Sequence, residues 1–463
     1  SKLCYRLYNY QKQINYNIDN IIDSINECGA VMIKFSQWVT PKLELIYLDG
    51  DDIINENKPN WLVKLEMFYE NCNNHSLEYT KKTYYSTFNE NIEDKYVMKD
   101  IIGSGSIGQV YLIEDKKTKE KKVMKILHPN VKNEIHFFKK FIKFLIFIPC
   151  IRNKINSIFP FDIFKFISDI ENQTDLINEA NHLLYFYNFY KENKYIIIPE
   201  LYRISSEILI MSYESGTQFD KSTINEYQKN KIVNLFHLFI RTNQMLENYN
   251  HGDLHPGNWK IRETEDTDPK LIIYDFGFCW SIPHSKFISM GTLFWDTFEE
   301  SDQDLSKSID NATLLMSFTT LYEKEDKDTG FKTKIREYIV DYINENVLTE
   351  LTVIDSLKAT IGFSIKENIK LDPHLIQCYI VFIQGQKLFE RYGLKSSKNN
   401  NISDYSVYRE RYLDILTFCK TYNIFHEHSV YIEKKLNAKQ VTITNIFDTI
   451  EMDDSIKALL IPN

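Results

Sequence analysis

The stretch from His251 to Gly277 constrains this chain more than any other part of its 463 residues. It reads His251-Gly252-Asp253-Leu254-His255-Pro256-Gly257-Asn258 and then, past a charged gap, Leu271-Ile272-Ile273-Tyr274-Asp275-Phe276-Gly277. Alone, a His-x-Asp is an ordinary capped turn and an Asp-Phe-Gly an ordinary strand end. In this order, with an apolar strand between them, they supply an Asp, an Asn five residues on, and a second Asp. Phosphoryl transfer asks for that set. Charge on the moving group must be neutralised by a metal ion, and Mg2+ takes oxygen ligands. Asn258 and Asp275 are the candidate metal ligands. Asp253 is the candidate to orient or deprotonate an attacking oxygen, or to reach a second ion.

A glycine-rich turn upstream fits the same chemistry. Ile101-Ile102 leads into Gly103-Ser104-Gly105-Ser106-Ile107-Gly108-Gln109-Val110, a G-x-G-x-x-G pattern. The dinucleotide-binding version needs a helix directly after the glycines. Here the pattern predicts a strand over 110–113, a charged turn over 114–122 and a second strand over 122–127. Strand, glycine loop, strand lets backbone amides lie close over phosphates. Gly103, Ser104, Gly105, Ser106, Gly108 and Val110 are therefore candidate nucleotide contacts. Lys125 sits inside an apolar run, where its charge requires a partner. That favours it over Lys121 and Lys122 as the phosphate-binding lysine, and the charge run 116–122 reads as a solvated hairpin tip.

A helix is expected over 169–190, with Glu171, Asp175 and Glu179 at intervals of four on one face. Glu179 is the candidate ion-pair partner of Lys125. Strands over 195–199 and 207–211 are expected to close a small lobe. Residues 212–216 would then be a hinge whose backbone binds adenine, with Tyr213 among the nucleotide contacts.

Around this centre the chain reads as helical. Ile14, Ile18, Ile21, Ile22 and Ile25 recur at helical spacing. A polar loop spans 49–60 and a short helix 61–69. Helices return from 216 to Asn250 and again from 284 onward, with polar breaks at 301–304, 323–329 and 395–404. His426 and His428 read as surface histidines. The scarcity of Gly (14) and Pro (11) agrees with helix-rich structure. A net charge of −9 disfavours a general nucleic-acid binder, which needs a basic face. Seven scattered cysteines without a Cys-x-x-Cys pair read as reduced thiols in a reducing compartment. The longest apolar run, 144–151, falls short of the roughly 20 residues of a membrane span. The chain begins at Ser1, which leaves open a removed leader.

Taken jointly, these residues resemble the UbiB family of aarF-domain-containing, protein-kinase-like proteins, over about residues 20–395. Ile33-Lys34-Phe35-Ser36-Gln37-Trp38 looks like the family's Lys-x-Gly-Gln motif, at the expected place upstream of the glycine loop. By composition alone, Lys34 and Gln37 would be a solvated helix face. Residues 106–111, 125–129, 175–181 and 251–258 match as well.

The resemblance implies an α+β, two-lobed protein-kinase-like fold. An N-terminal helical extension (1–95) would fold over the place of a peptide substrate. A small lobe with inserted helices (96–215) and a helix-rich C-lobe with its tail (216–463) would follow. It implies ATP and Mg2+, and carries roles over to Lys34, Lys125, Glu179, Asp253, Asn258 and Asp275. It further implies action on small or isoprenoid-quinone-like molecules rather than proteins, a mitochondrial setting and peripheral membrane contact. For that contact, 139–151 is the one amphipathic candidate.

Three departures stand out. Ser36 replaces the motif glycine, Gln173-Thr174-Asp175 replaces the family's Glu-x-Asp, and Gly103-Ser104-Gly105 replaces an alanine-rich loop. The last predicts that Mg-ATP is bound as in an ordinary kinase. A small-molecule kinase of the aminoglycoside or choline kinase type also uses such a His-Gly-Asp-Leu-His loop, but lacks the 34–37 segment. A nucleotide-binding scaffold without catalysis is the other alternative. An ordinary Ser/Thr kinase fits less well, because Gly252 stands where Arg would be.

Overall fold

A computed structural model describes residues 18–48, 58–66, 74–156, 160–263, 269–282, 305–320, 329–349 and 351–392. His426, His428 and the breaks at 301–304 and 395–404 lie outside those residues.

The described chain opens with α1 (Ile18–Glu27), α2 (Ala30–Tyr47) and α3 (Asn60–Glu66). Then come α4 (Leu77–Phe88), the short α5 (Ile92–Lys95), β1 (Tyr96–Ser104), β2 (Gly108–Asp115) and β3 (Lys121–Leu127). Helices α6 (Val131–Phe147), α7 (Pro149–Asn156), α8 (Ile163–Gln173) and α9 (Leu176–Tyr190) are followed by β4 (Ile196–Ile197), β5 (Leu201–Ile204) and β6 (Ile208–Ser212). Beyond the hinge lie α10 (Glu226–Arg241), β7 (Asn250–His251), β8 (Trp259–Arg262), β9 (Lys270–Ile273) and β10 (Cys279–Trp280). The last described helices are α11 (Leu305–Thr319), α12 (Thr329–Glu345), α13 (Val353–Glu367) and α14 (Pro373–Tyr392).

The fold is α+β, two-lobed and kinase-like. The small lobe is an antiparallel five-stranded sheet in the order β1-β2-β3-β6-β5. Side chains alternate across it. Met124 and Ile126 join Tyr111, Ile113, Ile208 and Ile210 on the outer face, beneath Tyr84 of α4. Val123 and Leu127 point the other way, into a core shared with α9 and α10. Lys125 has their parity, so the strand itself turns it into the cleft. Because Tyr84 and Ile92 are fully buried against this sheet, residues 77–95 belong to the small lobe. The extension that reaches the site is α1–α3. In the larger lobe, β8 and β9 form a hairpin with β4 alongside, and β7 pairs with β10. Packing of α10 against α14 supports them.

Three expectations need correction. The helix over 169–190 is two helices. Asp175 caps α9, its carboxylate accepting from the Ile177 amide at 3.1 Å, a stronger use of an Asp than a mid-helix position. Glu171 consequently faces Lys139, 2.6 Å away, and does not share a face with Glu179. The strand expected over 195–199 does not close the small lobe. Its core, β4, pairs in parallel with β9 in the large lobe, and β5 is the closing strand. Lys122 is not part of a solvated tip either. It is buried, bridges Asp115 at 3.2 Å and lies over the Tyr202 ring at 4.1 Å.

Candidate functional site

The two halves of the His251–Gly277 stretch are stitched together by backbone and by one histidine. The Tyr274 amide donates to the Asn258 carbonyl at 2.8 Å, and the Gly252 amide to the Phe278 carbonyl at 2.8 Å. Between them, His251 donates from Nε2 to the Tyr274 carbonyl at 3.1 Å, while its Nδ1 accepts from the Asp253 amide at 3.3 Å. One donor and one acceptor describe a neutral imidazole. Burial, the largest influence on it, holds its pKa below the ordinary value. Gly252 has its own steric cause: a Cβ there would run into the Trp280 ring. That ring fills the space an Arg side chain would need.

Lys125 stands at the centre of the cleft. Its Nζ is 2.8 Å from both carboxylate oxygens of Glu179 and 3.2 Å from Oδ1 of Asp275. Burial opposes the lysine's charge, but the two carboxylates more than restore it, so its pKa lies above the ordinary value. Asp275 titrates well below the carboxylate range. Burial works against ionisation there, and Lys125, Lys34 and the Gly277 amide overcome it. Glu179 is the carboxylate left with the cost: burial pushes it up to about 7 despite Lys125. Asp275 also has φ +50°, left-handed backbone in which its own carboxylate accepts from the Gly277 amide at 3.1 Å. Asn258 donates its Nδ2 to the Asp253 carbonyl at 2.8 Å. Its side-chain oxygen and the second oxygen of Asp275 are hard donors of the kind Mg2+ takes.

The extension meets the 251–258 loop directly. Lys34 of α2 lies 3.2 Å from Oδ2 of Asp253. Burial disfavours the Asp253 charge, but Lys34 and His255 hold its pKa below the usual range. Ser36 fits where the motif has glycine, because its hydroxyl donates back to the Met32 carbonyl at 3.0 Å and stays within its own helix. Lys34, Gln37 and Trp38, with Gln173, Asp253 and Gln377, are among the residues that line one cavity.

The glycine loop is held from below. Gly105 donates its amide to the Gly108 carbonyl at 3.0 Å. His128 donates from Nε2 to the Gly105 carbonyl at 3.0 Å, and its Nδ1 faces Nδ1 of His75 at 2.8 Å. The carbonyl can only accept, so the shared proton between the two rings sits on His75. Burial keeps both histidines below their ordinary pKa, His75 at about 4. Among the expected nucleotide contacts, Ser106 turns away to Gln37 at 3.5 Å. Val110 pairs across the sheet with Lys125. Gly103, Ser104, Gly105 and Gly108 form the loop and its flanks. Tyr213 lies at the hinge, where the Glu214 carbonyl already accepts from the Tyr274 hydroxyl at 2.6 Å and the Ser215 carbonyl from Arg262 at 3.3 Å.

Sequence reasoning missed His75, Gln377 and Trp280, and gave His128 no role beyond its place in a matched motif. Their signal is spatial: each lies far along the chain from what it touches.

The family model described as the ABC1 atypical kinase-like domain matches residues 68–309. A Dictyostelium discoideum protein named "Probable serine/threonine-protein kinase abkC" is 30% identical over 262 residues, covering 54% of this chain and 36% of that protein. A Shewanella piezotolerans protein named "Probable protein kinase UbiB" is 23% identical over 269 residues, covering 55% of this chain and 46% of that one. These matches thus span less than half the length of either relative. Among solved structures, Rv3197 of Mycobacterium tuberculosis, in complex with erythromycin, aligns with a TM-score of 0.43 at 14% identity, over 74% of this chain and 89% of that one.

Proposed function

This chain belongs to the ABC1 atypical kinase-like family, and from that premise we propose that it is a Mg-ATP-dependent kinase or ATPase of UbiB type. The observation that carries this reading is Lys125 held between Glu179 and Asp275, with Asp253 and Asn258 joined to each other on the adjoining loop.

Lys125 would bind phosphate oxygens, and Glu179 would keep its ammonium in the cleft. Asn258 and Asp275 would hold Mg2+, which supplies charge neutralisation at the transferring group. Asp253 would accept the proton of the attacking hydroxyl or water, and Lys34 would tune its readiness to do so. The glycine loop would close over the phosphates on its backbone.

We place the acceptor among small or lipid-derived hydroxyl compounds such as isoprenoid-quinone precursors, not among extended peptides. Supporting this, Lys34 of α2 pairs with Asp253, and the two line one cavity together with Gln173 and Gln377.

Phosphate release from Mg-ATP by the purified chain, beside Asp275→Asn, tests the reading. Release that the substitution abolishes, with the melting temperature kept, supports it. Stabilisation of the wild-type chain by Mg-ATP without release under any condition would point to a nucleotide-binding scaffold instead.

A further inference from the structure

The peptide between Gly252 and Asp253 is held by a side chain from a distant helix. Gln377 of α14 donates its Nε2 to the Gly252 carbonyl at 2.9 Å. Its Oε1 accepts from Nζ of Lys42, on α2, at 3.1 Å. Lys42 also donates to the Trp38 carbonyl at 3.0 Å, and its Nζ lies 4.2 Å from the centre of the Trp38 ring. Lys42 has no exposed surface, and Gln377 is buried.

These partners fix which way round the Gln377 amide sits. A backbone carbonyl only accepts, so the amide nitrogen must face Gly252. The amide oxygen must then face Lys42, whose nitrogen donates there. Without Lys42 that oxygen would be a buried acceptor stripped of its donor, and the amide would lose one of the two bonds that orient it.

The chain of bonds continues past Gly252. The same peptide carries the Asp253 amide, which donates to Nδ1 of His251 at 3.3 Å, and Nε2 of His251 donates to the Tyr274 carbonyl at 3.1 Å, one residue before Asp275. Every bond from Lys42 to Tyr274 runs from donor to acceptor in the same direction. In such a series each bond polarises the next, so a loss at one end weakens the rest. Apolar side chains would fill the space around Lys42 without the cost of burying an amine whose two bonded partners are neutral. The polar chain therefore calls for a reason beyond packing, and it leads to Asp253.

We propose that Gln377 is a positioning residue for phosphoryl transfer, holding the backbone of Asp253 through the Gly252 carbonyl, and that Lys42 keeps the Gln377 amide turned towards it. This rests on the kinase or ATPase reading above. Helix α2 then acts on Asp253 at two points. Lys34 meets the carboxylate directly, and Lys42 reaches the backbone by way of α14. Gln377 also lines the cavity that holds Asp253. Lys42 is wholly buried and acts on the site only through its neighbours, which makes its replacement the sharper probe.

Steady-state phosphate release from Mg-ATP by the full chain at pH 7, beside Gln377→Met and Lys42→Met, tests this. Gln377→Met is expected to lower kcat at least about tenfold, with KM for Mg-ATP kept within about twofold. Lys42→Met should lower kcat by a smaller factor with the same split. Where Gln377→Met fails to fold, Lys42→Met decides alone. Wild-type kcat in either folded variant overturns the proposal and leaves the kinase or ATPase reading standing. A fall in kcat matched by an equal loss of Mg-ATP affinity and a lowered melting temperature overturns it too, because the bonds would then be merely structural. Absent release by the wild-type chain overturns both readings together.

Discussion

The ammonium of Lys125 is 2.8 Å from each carboxylate oxygen of Glu179, and the pair is almost wholly out of water on the Glu179 side. Removing one partner of such a pair leaves an uncompensated buried charge. Lys125→Met is therefore expected to lower stability by about 3–5 kcal/mol and to abolish nucleotide turnover. Glu179→Gln leaves Lys125 with Asp275. It should cost less stability while slowing turnover by a factor on the order of 10². Denaturant unfolding beside phosphate release measures both. Wild-type turnover in Glu179→Gln would remove Glu179 from the mechanism proposed above.

Lys34 and Asp253 lie 3.2 Å apart, and Lys34 is the strongest favourable influence on the Asp253 carboxylate. Replacing Lys34 with Met takes that influence away, so the Asp253 pKa must rise. If Asp253 acts as the base, its ionised form is the working one. The acid limb of the pH profile for phosphate release should then move to higher pH in Lys34→Met. An unmoved limb would mean that Asp253 does not set it.

Two glycines of the glycine loop should behave oppositely. A Cβ on Gly108 would come 2.7 Å from the Ile126 carbonyl oxygen, so Gly108→Ala forces β2 and β3 apart. A loss of about 1–3 kcal/mol is expected. A Cβ on Gly105 would meet the nearest atom, the Gly108 carbonyl oxygen, at an ordinary 3.8 Å. Gly105→Ala should fold normally and change only nucleotide handling, weakening ATP relative to ADP. Calorimetric titration with each nucleotide reads this. Tight ADP binding by the wild type with little ATP affinity, unchanged by Gly105→Ala, would contradict it.

What was legible in the sequence was local. The parity of β3 aims Lys125, and the spacing of Asp253, Asn258 and Asp275 follows from a loop and a hairpin only a few residues long. The break between Gln173 and Asp175 was misread because intervals of four look alike in one helix or two. Only the cap at Asp175 separates them, and a capping Asp resembles any other helical Asp. The role of β4 depends on its partner β9, some seventy residues away, which no pattern within 195–199 encodes. The same holds for Gly252. Its glycine looked like a missing Arg, and the reason for it is Trp280, on the far side of the Asp-Phe-Gly turn.

Lys42 is the clearest such case, since by spacing it is one more lysine on α2, yet it has no exposed surface. Its Nζ donates to the Trp38 carbonyl at 3.0 Å and to Oε1 of Gln377 at 3.1 Å. Gln377 in turn donates to the Gly252 carbonyl at 2.9 Å. Two acceptors suit the two N–H bonds of a neutral amine. Burial lowers the Lys42 pKa to about 7, and the more distant Asp169 and Asp253 only partly restore it. Above pH 7 the folded chain therefore holds this amine neutral while the unfolded chain keeps it protonated up to about 10.5. The unfolded state binds the extra proton, so stability rises with pH across that window and is lost as pH falls through 7. Lys42→Met has no such proton to shed. The stability difference, wild type minus Lys42→Met, should grow between pH 7 and 10 by an amount on the order of a few kcal/mol. Urea unfolding at several pH values measures it. A difference that stays flat would mean that Lys42 is charged in the fold and that the contact with Gln377 is an ion–dipole bond.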